Sequence, residues 1–316
     1  MSAPILLSLG SVNADFQMRI PEEFGEIETQ LADDVARLSG GKATNRAFLA
    51  RRFGHPARLF GRVGDDDLAR QALDGLEKEG VDLTGVSVAR GMSTAVSIIL
   101  VPPSTKKRIF LASGASAHWD EQAVRSLEAA IAEAPPGSML AVDYEISPDV
   151  VARALAAAVR QHIGVVIDPS PPRRVPSGAI GSCAAIAPNA EEAEGLTGIK
   201  VGGELDASRA AEALLGKGAA FVCLKLADGG AFIADKARQL FIAAPEVEAV
   251  DTTGAGDAFT GALAIGLMEG RSSLDAACLA IAAATMAVTE FGSHHGNLAP
   301  KHIEPLVAKI RRSVDV

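Results

Sequence analysis

The chain has 316 residues, with Lys+Arg 30 against Asp+Glu 39 and a formal net charge of -9. At roughly 150 residues per domain, that length suggests two domains, or one large α/β domain with additions. Hydrophobic residues are 48% and charged residues 22%, which permits a substantial core and excludes disorder. The acidic balance excludes a dedicated nucleic-acid binder, because a phosphate backbone needs a basic footprint. Aromatics at 4% leave little for a base-stacking surface. Cys183, Cys223 and Cys278 are far apart and form no CxxC pair, as in a reduced cytoplasmic protein without a zinc cluster or disulfide framework. The N-terminal stretch lacks a positive n-region, so no signal peptide is expected. The most apolar helical stretch, 276–288, is too short to span a bilayer and reads as a core helix, so no membrane partner is expected.

Taken in chain order, an apolar strand is predicted at 5–9. Residues 16–20 alternate between apolar and polar, the pattern of a strand buried on one face. A helix ending at Gly54 follows the glycine pair at 40–41, and a strand is predicted at 57–63. Leu68, Ala72, Leu73 and Leu76 form one apolar helical face, with Gly80 as C-cap. The runs 94–101 and 107–112, joined by Pro102-Pro-Ser-Thr, read as an antiparallel hairpin. Strands at 139–142 and 164–167 flank a helix over 147–161 that opens with Ser147 and Pro148. Further strands are predicted at 184–187, 221–226 and 231–234. Phe259, Leu263 and Leu267 then mark a helix that ends at Gly270. The alternation predicts an α/β fold: a doubly wound, mostly parallel sheet with helices on both faces. The segments at about 12–38 and 93–113 break the rhythm and predict a small β-sheet lid inserted into a single domain spanning 1–316.

The strongest chemical motif is Asp251-Thr-Thr-Gly-Ala-Gly-Asp257, which opens the helix after it. A glycine-rich turn at a helix N-terminus presents unpaired amides and the positive end of the macrodipole. Asp257 beside that anion site suits a general base that deprotonates a hydroxyl attacking phosphorus. The amides of Gly254, Ala255 and Gly256 would hold the developing phosphoryl charge. The same residues also make an ordinary helix start with a dipole-matched acid. Gly40-Gly-Lys-Ala-Thr-Asn45 places Gly41, Lys42 and Asn45 at another helix N-terminus, a setting for a polyhydroxyl ligand or simply a glycine-rich cap. It does not satisfy the GxxxxGK[ST] loop. Gly216-Lys-Gly218 precedes a strand instead of following one, which excludes a dinucleotide fingerprint. Asn13, Asp15 and Glu145 follow strands, where open α/β sheets bind ligands. Asn189 and Glu192 either reach a phosphate and its Mg²⁺ or cap a helix. The histidines show no metal spacing.

These motifs occur in one order: Leu9-Gly-Ser-Val-Asn-Ala-Asp15, Gly40-Gly-Lys-Ala-Thr-Asn45, Gly61-Arg-Val-Gly-Asp65, Pro188-Asn-Ala-Glu-Glu192 and Asp251-Thr-Thr-Gly-Ala-Gly-Asp257. In that order they resemble the ribokinase (PfkB-type) family of sugar and nucleoside kinases, along essentially the whole chain. The resemblance implies an ATP-dependent transferase acting on a primary hydroxyl of a small sugar, with ribose O5 leading and fructose, 2-keto-3-deoxy-sugars or nucleosides as alternatives. A silent sugar or nucleotide sensor would not need to keep Asp257. The resemblance further implies Asp257 as the base and Gly254, Ala255 and Gly256 as the anion hole. Asn13, Asp15, Gly41, Lys42, Asn45 and Glu145 would hold the sugar. Asn189, Lys225, Gly230 and Gly256 would face the nucleotide, and Glu192 would act on Mg²⁺ through water. Asp251, Thr253, Ala287, Glu290 and Gly292 would surround a monovalent cation, K⁺. The inserted strands would be a lid that pairs two copies into a homodimer.

Overall fold

The computed structural model describes residues 3–21, 29–103, 107–294 and 296–314. In chain order the elements are β1 (Leu6–Leu9), β2 (Asn13–Arg19), β3 (Asp34–Gly40), α1 (Lys42–Arg52), β4 (Ala57–Gly64), α2 (Asp67–Glu79) and β5 (Asp82–Ala89). Then come β6 (Ala95–Val101), β7 (Arg108–Ala112), α3 (Glu121–Ala132), β8 (Met139–Val142), α4 (Pro148–Arg160), β9 (Gly164–Ile167), β10 (Ala185–Ile186) and α5 (Ala190–Thr197). The chain finishes with α6 (Glu204–Gly216), β11 (Val222–Lys225), β12 (Ala231–Ala234), β13 (Gln239–Ile242), α7 (Ala255–Met268), α8 (Ser273–Ala287) and α9 (Pro300–Val314). No helix among the described residues is long and apolar enough to cross a membrane.

The described strands form a 9-stranded sheet in the order β13-β12-β11-β10-β9-β8-β1-β4-β5 and a separate 4-stranded sheet in the order β3-β2-β6-β7. The large sheet is parallel from β11 to β5. It turns antiparallel at β12 and again at β13. Strand alternation sends Leu6, Met139 and Ala141 to one face and Leu7, Leu140 and Val142 to the other. The first face packs under α1, α2, α7, α8 and α9 through residues such as Ala47, Leu76, Leu263, Leu279 and Ile303. The second packs under α3 to α6 through Leu127, Val151, Ala193 and Ala211. Burial on both faces is the reason these strands read as continuous apolar runs. The doubly wound fold is as expected.

The small sheet sits where the rhythm breaks, and β6 and β7 are the expected antiparallel hairpin. Two features differ from expectation. Asn13 and Asp15 do not lie in a loop after the first strand but begin β2. There they pair in register with Gly40 and Leu38 on one side and with Ala95 and Ser97 on the other. Strands β3, β5 and β13 carry no clear period in the sequence. β3 is at least partly solvated at every residue before Gly40, β5 is interrupted by Gly85, and β13 is short and begins with a polar residue. The register at the foot of β2 positions the site, because it holds this sheet against the start of α1.

Candidate active site

A cleft of about 430 Å³ opens between the two sheets. It is lined by the predicted residues Asn13, Asp15, Gly41, Lys42, Asn45, Glu145, Asn189, Glu192, Thr253, Gly254, Gly256 and Asp257, joined by Ser97 and Lys107. Four of the five ordered motifs thus meet at one place with Glu145, while Gly61 to Asp65 lie outside the lining. Ala255 opens α7 behind the lining. Gly230 lies farther away, in the turn between β11 and β12, where its amide donates to Asp228 Oδ1 at 3.0 Å.

The start of α7 is built for close approach. Gly254 is its N-cap, in the left-handed region at φ 77, and no side chain caps the helix. A Cβ at Gly254 would lie 2.7 Å from Ser293 Cβ, so this turn needs glycine for both torsion and space. The amides of the first turn are left for an anion. Asp257, in that first turn, is buried. Its Oδ2 accepts from Asn45 Nδ2 at 2.6 Å and its Oδ1 from Lys42 Nζ at 3.4 Å. Both donors come from the first turn of α1, which starts at Gly41 with φ 100. A side chain at Gly41 would collide with the Ser11 carbonyl.

The opposite wall is rich in acceptors. Asn13 Nδ2 donates to Ser97 Oγ at 3.2 Å. Asn13 Oδ1, Asp15 Oδ1 and Asn45 Oδ1 are buried and without a hydrogen-bond partner among the described residues. Buried acceptors are costly unless something donates to them. Burial pushes the Asp15 carboxyl up to about 7, against the Ser97 hydrogen bond and the Lys107 charge, with Asp257 adding to the rise. Burial also pushes Glu145 up to about 7, with Lys42 opposing and Asp143 reinforcing.

Beneath the cleft lies a buried ionic network. Arg46 and Asp143 are fully buried and pair at 2.7 Å, and Arg46 also donates to the Leu9 carbonyl at 3.1 Å. Asp168, fully buried, lies 3.2 Å from Lys42 Nζ, 3.6 Å from Lys225 Nζ and 3.9 Å from Arg46. Burial would raise its pKa, but the three cations outweigh it and hold Asp168 below the usual carboxylate range. Burial likewise disfavours the Lys42 ammonium, but Asp168, Asp257, Glu145 and Glu192 together hold its pKa well above the ordinary value. Lys225 reaches Glu192 Oε2 at 3.7 Å, and Asn189 and Glu192 form a reciprocal capping box on α5. On the far side of α7, Asp251 accepts from Gln17 Nε2 at 2.7 Å, Gly292 N at 3.0 Å and Thr253 N at 2.9 Å. Burial opposes its charge, but these donors keep it below the ordinary value. The amides of Val250 and Asp251 both donate to the Val288 carbonyl, which ties the 250–253 loop to the end of α8 at Ala287 and to the following loop that holds Glu290 and Gly292.

The model of the pfkB family carbohydrate kinase matches residues 5–300. The chain belongs to that family. The ribokinase of Haemophilus influenzae is 32% identical over 288 residues, covering 91% of this chain and 93% of that protein. The ribokinase of Schizosaccharomyces pombe is 30% identical over 294 residues, covering 90% and 91%. Among solved structures, the ribokinase of Thermotoga maritima superposes with a TM-score of 0.83 at 28% identity, covering 97% of this chain and 100% of that one. The ribokinase of Arabidopsis thaliana, solved with ribose and ATP, gives 0.82 at 24% identity and 97% and 99% coverage, a likeness of fold.

As a pfkB carbohydrate kinase, the chain is a phosphotransferase acting on a sugar hydroxyl. Its motifs found most of the cleft lining. Sequence reasoning missed Asp143 and Asp168, although each directly follows a strand, as Asn13 seemed to. It also missed Arg46, whose place on the α1 face turned toward β1 is not marked by any spacing rule. Lys107 was legible only as the start of an apolar run.

Proposed function

We propose that this enzyme transfers the γ-phosphoryl group of ATP to the primary O5 hydroxyl of ribose. The observation that carries the sugar reading is the group of three buried acceptors, Asn13 Oδ1, Asp15 Oδ1 and Asn45 Oδ1, gathered at the cleft that holds Asp257. A ligand with several hydroxyl donors satisfies all three at once. The ribokinase names of the relatives at 32% and 30% identity favour ribose over fructose, a 2-keto-3-deoxy-sugar or a nucleoside.

In this reading Asp15, Asn13, Asn45 and Glu145 orient the sugar, with Gly41 giving it backbone access. Asp257 takes the proton of the attacking hydroxyl, and Lys42 and Asn45 hold that carboxylate in place. The amides of Gly254, Ala255 and Gly256 receive the charge on the transferring group. Lys225 and Asn189 face the nucleotide phosphates. Gly230 shapes the nucleotide loop from outside the cleft lining.

Mg²⁺ fits beside Glu192, because the α5 cap and the Lys225 contact both use Oε2 and leave Oε1 for a metal-bound water. When bound, Mg²⁺ supplies neutralisation of phosphate charge. K⁺ fits between the loops of Asp251, Thr253, Ala287, Glu290 and Gly292. Gln17 Oε1, buried there without a partner among the described residues, is the kind of neutral oxygen donor such a cation takes. The Asp251 carboxylate is already occupied by three N–H donors, so main-chain carbonyls would do the holding. The small sheet would cover the sugar. Its β7 strand exposes Ile109, Phe110 and Leu111 to 51%, 60% and 39%, an apolar edge that suits pairing with a second copy. The three cysteines are buried and none forms a disulfide, which supports a cytoplasmic location.

The test is ADP release measured across pentoses, hexoses, ketodeoxy acids and nucleosides, with and without K⁺. Ribose should give the highest kcat/KM. Folded protein that releases no ADP with any sugar would end the kinase reading.

A further inference from the structure

Three lysines from three different elements surround the start of α7. Lys42 opens α1 and lies 3.4 Å from Asp257. Lys225 ends β11, and a Cβ at Gly256 would sit 3.7 Å from its Nζ. Lys107 comes from the small sheet, one residue before β7, and its Nζ donates to Thr253 Oγ1 at 3.2 Å. The reaction as proposed uses the first two and leaves Lys107 without a role.

Thr253 immediately precedes Gly254, so this contact sets a cation from the small sheet against the turn whose amides face the cleft. An ammonium has three donors. Among the described residues Lys107 spends one, on a neutral hydroxyl, and has no carboxylate within ion-pair reach. It is part-buried and lines the cleft. A part-buried, donor-only group with spare donors calls for an anion. The sugar wall, by contrast, presents acceptors, which match hydroxyl hydrogens.

Resting on the kinase reading, we propose that Lys107 is a ligand of the transferring phosphoryl group, supplied by the small sheet and not by the nucleotide-binding half of the fold. In the transfer, the sugar oxygen bonds to the γ-phosphorus while the bond from that phosphorus to the β–γ bridging oxygen breaks. The hydroxyl proton goes to Asp257 and the bond's electron pair leaves on ADP. Lys107 stays protonated and donates to the equatorial oxygens, opposite the α7 amides. The sheet that covers the sugar therefore also supplies a cation to the phosphoryl site, so one element serves both the acceptor and the transferring group.

The experiment compares wild type, Lys107→Met and Lys107→Arg, each checked for folding by circular dichroism. Ribose kinase kinetics are combined with calorimetric binding of ribose, of ADP, and of ADP plus tetrafluoroaluminate with ribose. The Met variant should lose about 100-fold in kcat, with affinity for ribose alone and for ADP alone within about threefold of wild type. The tetrafluoroaluminate complex should weaken by a similar factor of about 100, and Arg should recover most of both losses. A Met variant with kcat within about threefold of wild type overturns the proposal. So does a loss carried by ribose affinity, which is the result for a lysine that serves the sugar. Wild type that phosphorylates no sugar is a different failure, that of the kinase reading itself.

Discussion

On the proposed assignment of the cleft to ribose, its two acids, Asp15 and Glu145, make sugar binding a proton-release reaction. Asp15 and Glu145 are each raised to about 7, chiefly by burial, from ordinary values of 3.8 and 4.5. A sugar hydroxyl donates to an ionised carboxylate, so both groups must lose their protons to bind fully. With two values near 7, the doubly ionised fraction rises from about 1% at pH 6 to about 80% at pH 8. The apparent Kd for ribose should therefore fall about a hundredfold across that window. Calorimetry in buffers of different ionisation enthalpy should register close to two protons released at pH 6 and about 0.2 at pH 8. Stability runs the other way. A carboxyl whose folded pKa is raised contributes fully below its unfolded value and loses that contribution as pH rises through the folded one. Ligand-free Tm should thus decline from pH 5 to pH 8 through these two groups, while the Tm gain from saturating ribose should grow. A ribose Kd that stays constant to within about twofold from pH 6 to 8, with no proton release, would refute the reasoning.

Asp257→Asn should lower kcat about 10²–10⁴-fold while ATP binding stays within about threefold, measured by single-turnover phosphoryl transfer and calorimetry. Near wild-type turnover would remove Asp257 from the base role. Arg46→Met strands Asp143 with both partners fully buried, and should cost about 3–5 kcal/mol in denaturant unfolding. The double variant Arg46→Met/Asp143→Leu should regain a large part of that loss. Phe110→Glu on the exposed β7 edge should shift sedimentation from dimer to monomer at micromolar concentration, and unchanged sedimentation would place any dimer contact elsewhere.

The sequence exposed the two-faced sheet because burial on both sides leaves unbroken apolar runs, as in Met139–Val142 and Ala231–Ala234. It concealed β3, whose residues Asp34 to Ser39 are all at least partly solvated and obey no period. That strand is held by pairing with β2 and not by a core of its own. The site divides in the same way. Residues needing special backbone, such as Gly41 and Gly254, announce themselves, since only glycine fits there. Asn45 and Asp257 came with them, one on each helix start. Asp143, Asp168 and Arg46 form an interior network between elements distant in sequence, and a pairing across 97 positions leaves no local mark. Lys107 stayed hidden because a lysine at the edge of an apolar strand looks like solubilising decoration.

The net charge of -9 gains a different meaning from this geometry. A polyanionic nucleotide approaches a protein that repels it at long range, so attraction must be local and oriented. The structure supplies it at one helix end: uncapped α7 amides, with Lys42, Lys225 and Lys107 around them. Two of these lysines are anchored by carboxylates rather than left to roam. Asp168 sits beneath both Lys42 and Lys225, fully buried, where it holds their ammonium groups in place. An anchored lysine loses little side-chain entropy when phosphate arrives, so more of the contact energy remains for binding. At a Debye length of roughly 8–10 Å, salt screens the diffuse repulsion of the acidic surface but leaves contacts at hydrogen-bond distance. Among the described residues Lys107 lacks such an anchor, and its only fixed partner there is a hydroxyl beside the start of α7. That difference fits a cation whose position is set by the covering sheet, and whose own partner is the group being transferred.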